Sequence, residues 1–163
     1  MEMRILGIDP GLQVCGYACL DTSREQNRLI EAGVMRTPAG LPIEARLNQI
    51  AEDTESLLRT FKPDVVAVEE LYSHYAHPKT AIMMGHARGV ILQKCAQEAV
   101  EVRSFSATRI KKSLTGNGRA SKEQVQRTIQ TLLSLPMLPE PNDVADAMAA
   151  ATCCANSMNS IVV

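Results

Sequence analysis

Two short apolar runs in this sequence each end on an acidic residue. Residues 5–8 lead into Asp9 and the turn-forming pair Pro10-Gly11, and residues 65–68 lead into Glu69. Short runs rich in β-branched residues and closed by a turn signal are typical of buried strands. A carboxylate at the end of such a strand costs several kcal/mol unless it meets a cation, binds a metal or caps a turn. Asp9 and Glu69 are therefore candidate site residues, although turn capping stays open for Asp9 alone.

A second pair of acids, Asp143 and Asp146, begins an alanine-rich segment near the end of the chain. Their three-residue spacing places both on one face of a helix, with about 5 to 6 Å between Cβ atoms. Because nearly all their neighbours are small or apolar, we expect this helix to be buried and its acids to face a neutralising partner. The alternative is that both acids only favour the helix dipole, worth about 0.3 to 1 kcal/mol each.

Four carboxylates that converge on one site would repel one another and take up protons. Hard divalent cations such as Mg²⁺ or Mn²⁺ prefer oxygen ligands and would stabilise the cluster. With a phosphodiester present, two such ions can activate water and stabilise the leaving oxygen of an in-line hydrolysis. The acids therefore predict metal-dependent phosphodiester hydrolysis.

Positive charge is concentrated in one segment. Residues 103–127 contain seven basic residues and one acidic residue, a net charge of +6, within a chain whose formal net charge is −1. Such asymmetry is the footprint expected for a polyanionic partner, although a solvated helix face is the alternative. The candidate DNA-binding residues in this segment are Arg109, Lys111, Lys112, Arg119 and Lys122.

The surrounding pattern predicts an α/β fold with a mixed five-stranded sheet flanked by helices. Residues 13–21 and 28–36 form an antiparallel meander with the first strand, and a helix at 42–61 crosses over to a parallel strand at 65–70. A helix at 78–99, a strand at 100–105 and helices at 106–114, 121–135 and 142–158 follow. Since functional groups gather at the carboxyl ends of parallel strands, Asp9 and Glu69 should share one edge.

Length and composition indicate one globular domain, residues 1–158, with a short tail at 159–163. No apolar stretch approaches the length of a membrane span, and charged Glu2 and Arg4 disfavour a signal peptide, so we expect a cytoplasmic protein with no membrane partner. The five scattered cysteines, without a C-x-x-C pair, predict reduced thiols.

The sequence resembles the RuvC family of Holliday-junction resolvases, within the ribonuclease H-like superfamily. The motifs behind the resemblance lie at residues 5–11, 67–70, 85–90, 116–126 and 143–147. The resemblance implies that the four acids are catalytic and bind two Mg²⁺ (or Mn²⁺) ions, and that Lys111 and Lys122 face DNA. It further implies a homodimer that resolves four-way junction DNA in recombination and repair by two symmetric cuts, with a RuvA-RuvB branch-migration complex as partner.

Tyr72 stands where the family usually has phenylalanine, in a loop one residue longer than usual. By resemblance it is a DNA-binding wedge that stacks at the junction centre; the alternative is a core tyrosine that closes the sheet edge. His86 replaces a common glutamine.

The helix at 78–99 is the predicted dimer surface. Ala81, Gly85 and Gly89 form a smooth stripe at i, i+4 and i+8, with Met83, Met84, Val90 and Leu92 nearby. The alternative is that this stripe packs only against the sheet of its own chain.

Three other functions compete with this interpretation. Residues 7–11 also fit the first turn of actin-like ATPases, but these need a second, duplicated half. A YqgF-type resolvase-like nuclease shares the fold and the first acid, while the Asp143/Asp146 pair favours RuvC. A junction-binding protein without catalysis would gain nothing from four clustered acids.

Overall fold

The structure, a computed structural model, describes residues 2–71 and 77–160. Five strands and five helices follow one another in the described part of the chain: β1 (Met3–Asp9), β2 (Val14–Thr22), β3 (Asn27–Arg36), α1 (Ile43–Phe61), β4 (Val65–Glu69), α2 (Pro78–Gln97), β5 (Glu101–Phe105), α3 (Ala107–Thr115), α4 (Lys122–Leu132) and α5 (Asn142–Asn159). None of these helices is long and apolar enough to cross a bilayer.

Helix ends follow the local signals. The Ser106 side chain accepts a hydrogen bond from the Arg109 backbone N–H at the start of α3, and Ser121 and Gln124 form the predicted capping box of α4. Two predicted helix ends were too late. The α2 helix stops at Gln97 and α4 at Leu132, and Ala99 (φ 55°) and Ser134 (φ 52°) just beyond them adopt the left-handed conformation, which a helix cannot continue.

The sheet has the order β3-β2-β1-β4-β5, which confirms the predicted mixed five-stranded arrangement. Strands β1, β2 and β3 form the antiparallel meander, and β4 pairs in parallel with both β1 and β5. Ile8 lies beside Val68 in register. The next residues along, Asp9 and Glu69, therefore end adjacent parallel strands at one edge.

Each face of the sheet supports its own core. Helices α3, α4 and α5 cover the face formed by alternate residues such as Ile5, Ala18, Val65 and Ala67. Helices α1 and α2 cover the opposite face, which includes Leu6, Ile8, Val66 and Val68. Because side chains alternate along a strand, Asp9 and Glu69 project towards the α5 side.

Candidate active site

Two glycines let α5 approach the end of β1. Gly16 pairs directly with Asp9 across the β1–β2 ladder. A Cβ atom built on Gly16 would overlap the backbone carbonyl of Asp143, and one built on Gly7 would overlap the carbonyl of Ala147. The first turn of α5 therefore lies directly over the strand end that bears Asp9. Neither glycine was predicted from the sequence to have a role, although a glycine inside a strand pattern is a known sign of close backbone approach.

A pocket of ≈ 160 Å³ opens between the end of β4 and helices α3, α4 and α5. Its charged lining consists of Glu69, Asp146, Lys111 and Lys122, and its apolar lining consists of Ala107, Ile110, Val125 and Ala149. Acidic and basic side chains thus face one another above an apolar floor, a setting in which charges are poorly screened by water.

Burial and mutual repulsion dominate the electrostatics of the acids. Burial, followed by repulsion from Asp146, Glu69 and Asp143, raises the pKa of Asp9 to about 8, while Lys122 opposes the shift. Repulsion of this kind requires the four carboxylates to lie near one another. Together with the contact of Asp143 with Gly16 and the pocket that Glu69 shares with Asp146, this places all four predicted acids, from two strands and one helix, at one edge of the sheet.

The pKa values of Glu69 and Asp146 are also raised, chiefly by burial. Asp146 adds to the shift of Glu69, and Asp143 adds to that of Asp146. Lys111 and Lys122 lower both values. These two lysines therefore stabilise the ionised form of the acids that they face.

The donor set fits a hard divalent cation. Within residues 2–71 and 77–160, no three carboxylate, imidazole or thiolate side chains are grouped tightly enough to hold a metal ion as they stand. Carboxylate oxygens are nevertheless the ligands that such ions prefer, and a cation would relieve the repulsion that raises the pKa of Asp9.

The predicted DNA-binding residues separate into two groups. Lys111 and Lys122 line the acidic pocket. Arg109, Lys112 and Arg119 are exposed away from it, and the Arg109 guanidinium lies 5.1 Å from the centre of the Phe105 ring, in a wide groove on the other side of α3. The structure therefore does not bring Arg109 into the acidic pocket.

The Cys15 thiol stabilises the turn that follows Asp9 through two hydrogen bonds with Gly11. The Cys15 Sγ lies 2.7 Å from the Gly11 carbonyl, to which it donates, and accepts a hydrogen bond from the Gly11 N–H at 3.3 Å. Burial raises the pKa of Cys15 to about 11, so the thiol stays protonated at neutral pH. All five cysteines are free and buried, as predicted.

The predicted stripe on α2 does not pack against the sheet. Ala87, Ile91 and Cys95 are the buried residues of this helix. Among the described residues, a Cβ built on Gly85 would come no closer than 3.8 Å to the Leu71 side chain, and one built on Gly89 would meet nothing within 4 Å. Tyr72, the predicted wedge, lies outside the described residues.

The family model "Crossover junction endodeoxyribonuclease RuvC" matches residues 5–154 of this chain. Two relatives of that name come from Heliobacterium modesticaldum, 42% identical over 96% of each chain, and Rhodopirellula baltica, 47% identical over 91% of this chain and 84% of the relative.

Solved structures agree with these relatives. RuvC of T. thermophilus in complex with a Holliday junction substrate superposes with a TM-score of 0.91, at 30% identity over 97% of this chain and 96% of that one. The yeast mitochondrial Holliday junction resolvase, at 13% identity and a TM-score of 0.64, covers 93% of this chain and shares the fold. The expected ribonuclease H-like fold is thereby confirmed.

Proposed function

Because this chain belongs to the RuvC family of crossover junction endodeoxyribonucleases, we propose that it resolves four-way DNA junctions by metal-dependent hydrolysis of phosphodiester bonds. The observation that supports this most is the mutual electrostatic influence of four acids beside two lysines at one sheet edge. Buried like charges destabilise a fold unless a ligand neutralises them. Such a cluster therefore indicates a functional site and not a structural role.

Asp9, Glu69, Asp143 and Asp146 are the proposed catalytic acids and metal ligands, with Mg²⁺ or Mn²⁺ as the ion and two ions per site. When bound, the ions would lower the pKa of the attacking water and stabilise the leaving oxygen. The carboxylates orient the site and balance its charge. Lys111 and Lys122 oppose the burial that raises the pKa of Glu69 and Asp146, and would offer N–H donors to a phosphate at the mouth of the pocket.

A synthetic four-way junction with a different label on each of two opposed strands tests this function. We expect paired nicks in the presence of Mg²⁺ and none in EDTA, with the junction still bound. Binding without cleavage at any Mg²⁺ or Mn²⁺ concentration would instead favour the non-catalytic junction-binding protein.

The basic residues are proposed to bind the phosphates of the junction arms. Removing one lysine or arginine that binds a phosphate should reduce the slope of log affinity against log salt by about 0.9 for duplex DNA. We expect a smaller slope for the Lys111→Ala/Lys122→Ala double variant and for Arg109→Ala. An unchanged slope in all of them would mean that the segment is a solvated face.

Tyr72 is proposed to stack on a base at the junction centre, where such stacking is worth about 1 to 3 kcal/mol. Tyr72→Ala should then reduce cleavage of intact junctions more than it reduces thermal stability. A large drop in melting temperature with normal cleavage of pre-opened junctions would indicate a core tyrosine instead.

The working species is proposed to be a two-fold symmetric dimer, since a junction presents two equivalent strands and each chain offers one acidic pocket. Within the described part of the chain, Gly89 is exposed and Ile82 is 60% exposed on α2, which supports this helix as the surface that meets a partner. Gly89→Leu should give a folded monomer that binds junctions but fails at paired nicking. Sedimentation of the unmodified protein as a monomer, free and on DNA, would contradict this.

A RuvA-RuvB complex is the further partner implied by the family.

A further inference from the structure

The motif at residues 85–90 contains an arginine to which the site described above gives no role. Arg88 lies on α2, on the side of the sheet opposite α5. Its Nε donates to the backbone carbonyl of Glu69 at 3.3 Å, and its Nη2 donates to Ser104 Oγ at 2.9 Å. One guanidinium therefore joins α2 to the ends of two adjacent parallel strands, β4 and β5.

These contacts occur where the regular sheet stops. Glu69 is the last residue of β4, and the hydrogen bond from the Glu70 N–H to the Phe105 carbonyl is the next main-chain link to β5. The end of a strand frays more easily than the rest of a sheet. An arginine that donates to this carbonyl and to Ser104 therefore restrains the backbone of an acid whose carboxylate must be held in a fixed position.

Arg88 is suited to act through the backbone and not through its charge. It reaches Glu69 from the α1 and α2 side, whereas the carboxylate of Glu69 points to the α5 side. The charges that shift the pKa of Glu69 most are those of Asp146, Lys111 and Lys122, all on that far side.

We propose that Arg88 is a positioning residue for the reaction: its guanidinium fixes the Glu69 backbone and Ser104 together, so that the Glu69 carboxylate is held ready for a divalent cation. This inference rests on the proposed function, because it gives Glu69 a metal to bind. Outer partners of this kind typically change metal affinity or activity by about 10- to 100-fold when removed.

The test compares Arg88→Ala with Arg59→Ala, a matched control. Arg59 is a guanidinium on α1 that bonds Glu55 and Glu98 on the same side of the sheet, far from the acids. Three quantities are measured: the Mg²⁺ concentration for half-maximal junction cleavage, the rise in melting temperature on adding Mn²⁺, and the junction dissociation constant in EDTA.

For Arg88→Ala we expect about a tenfold higher Mg²⁺ requirement or more, a smaller Mn²⁺-induced rise in melting temperature, and a junction dissociation constant within about twofold of the unmodified protein's. Arg59→Ala should match the unmodified protein in all three. Arg88→Lys, which keeps the charge but removes the fork, should recover part of the metal affinity.

An unchanged Mg²⁺ requirement in Arg88→Ala would overturn the inference. So would an equal loss of metal response, junction binding and metal-free stability, since that pattern marks a merely structural residue. If Arg88→Ala does not fold, Ser104→Ala, which removes one arm of the fork, must raise the Mg²⁺ requirement for the inference to stand. Absence of metal-dependent cleavage in the unmodified protein would instead refute the proposed function itself.

Discussion

The two faces of the sheet differ in the size of the side chains that cover them. On the α1 and α2 side, fully buried large residues interlock, among them Leu6, Ile8, Val68, Ile50 and Ile91. The α5 side also buries large residues such as Ile5, Leu20 and Ile129, but its strands contribute Gly7, Gly16, Ala18 and Ala67 as well, and α5 carries alanines at 147 and 149–151.

Side-chain size determines how near a helix can come to a sheet. Large residues hold α1 and α2 at a distance that is filled by apolar contact, which stabilises the fold without bringing backbones together. Small residues let the α5 backbone lie on β1 and β2, so that Asp143 and Asp146 reach the acids at the strand ends. Both faces thus stabilise the fold by packing, and the α5 face also lets the helix that bears two of the acids approach the strand ends.

Removing one carboxylate from the site should give the largest difference between substitutions on the two faces. Asp9→Asn should lower the cleavage rate by more than about 10²-fold, the usual cost of losing one group that stabilises a transition state. Folding and junction binding should persist, because Asn conserves volume and relieves repulsion. Single-turnover cleavage on saturating enzyme measures the effect.

Glu55→Gln is the control for that variant. Glu55 pairs with Lys94 and Arg59 on the α1 and α2 side, and its removal should leave the cleavage rate within about twofold, as expected for a surface ion pair. Full activity in Asp9→Asn would exclude Asp9 from the site.

A cavity on the α1 and α2 face should lower stability and leave the cleavage rate unchanged. Ile50 is 1% exposed, and Ile50→Ala should cost about 2 to 5 kcal/mol of unfolding free energy. At a temperature where the variant remains folded, its cleavage rate should match that of the unmodified protein. Urea unfolding combined with a cleavage assay on the same sample makes the comparison. A proportionate loss of cleavage would mean that the two faces are not independent.

A single methyl group tests the close approach of α5. Gly16→Ala places a Cβ against the Asp143 carbonyl, so we expect a loss of about 1 to 3 kcal/mol of stability together with slower cleavage. Gly89→Ala adds the same methyl group to open space on α2, where alanine favours the helix by up to about 1 kcal/mol. If both variants melt at the same temperature, the approach is looser than described.

The last test is a pH dependence that arises in the acidic site. Because the pKa of Asp9 is about 8 in the folded protein and 3.8 is its ordinary value, the folded state binds the extra proton between these limits. Stability of the protein in EDTA should therefore fall as pH rises from about 4 to 8, by at most about 1.4 kcal/mol per pH unit from this group.

Denaturant titrations at several pH values measure this slope. Asp9→Asn should flatten it, whereas Glu55→Gln, on the other face, should keep the downward trend. A slope in Asp9→Asn equal to that of the unmodified protein would show that other groups dominate.

Much of the fold could be predicted because its signals are local. The apolar runs that end at Asp9 and Glu69, the period of α1 and the capping box of Ser121 and Gln124 each lie within a few residues. Strand alternation and parallel pairing then place both acids at one edge. Their catalytic roles stay predictions, which come from chemical reasoning and from family resemblance.

The sequence by itself determined which elements form, where the acidic and basic residues stand along them, and that the strand-end acids share an edge. Only the tertiary structure decided which distant groups meet: Gly16 beneath Asp143, Lys111 and Lys122 in the pocket without Arg109, and Arg88 on the carbonyl of Glu69. The physical reason is the distance along the chain over which each kind of interaction acts. A helix or strand signal acts over a few neighbouring residues, whereas the separation between α5 and the sheet depends on side-chain volumes more than a hundred positions apart.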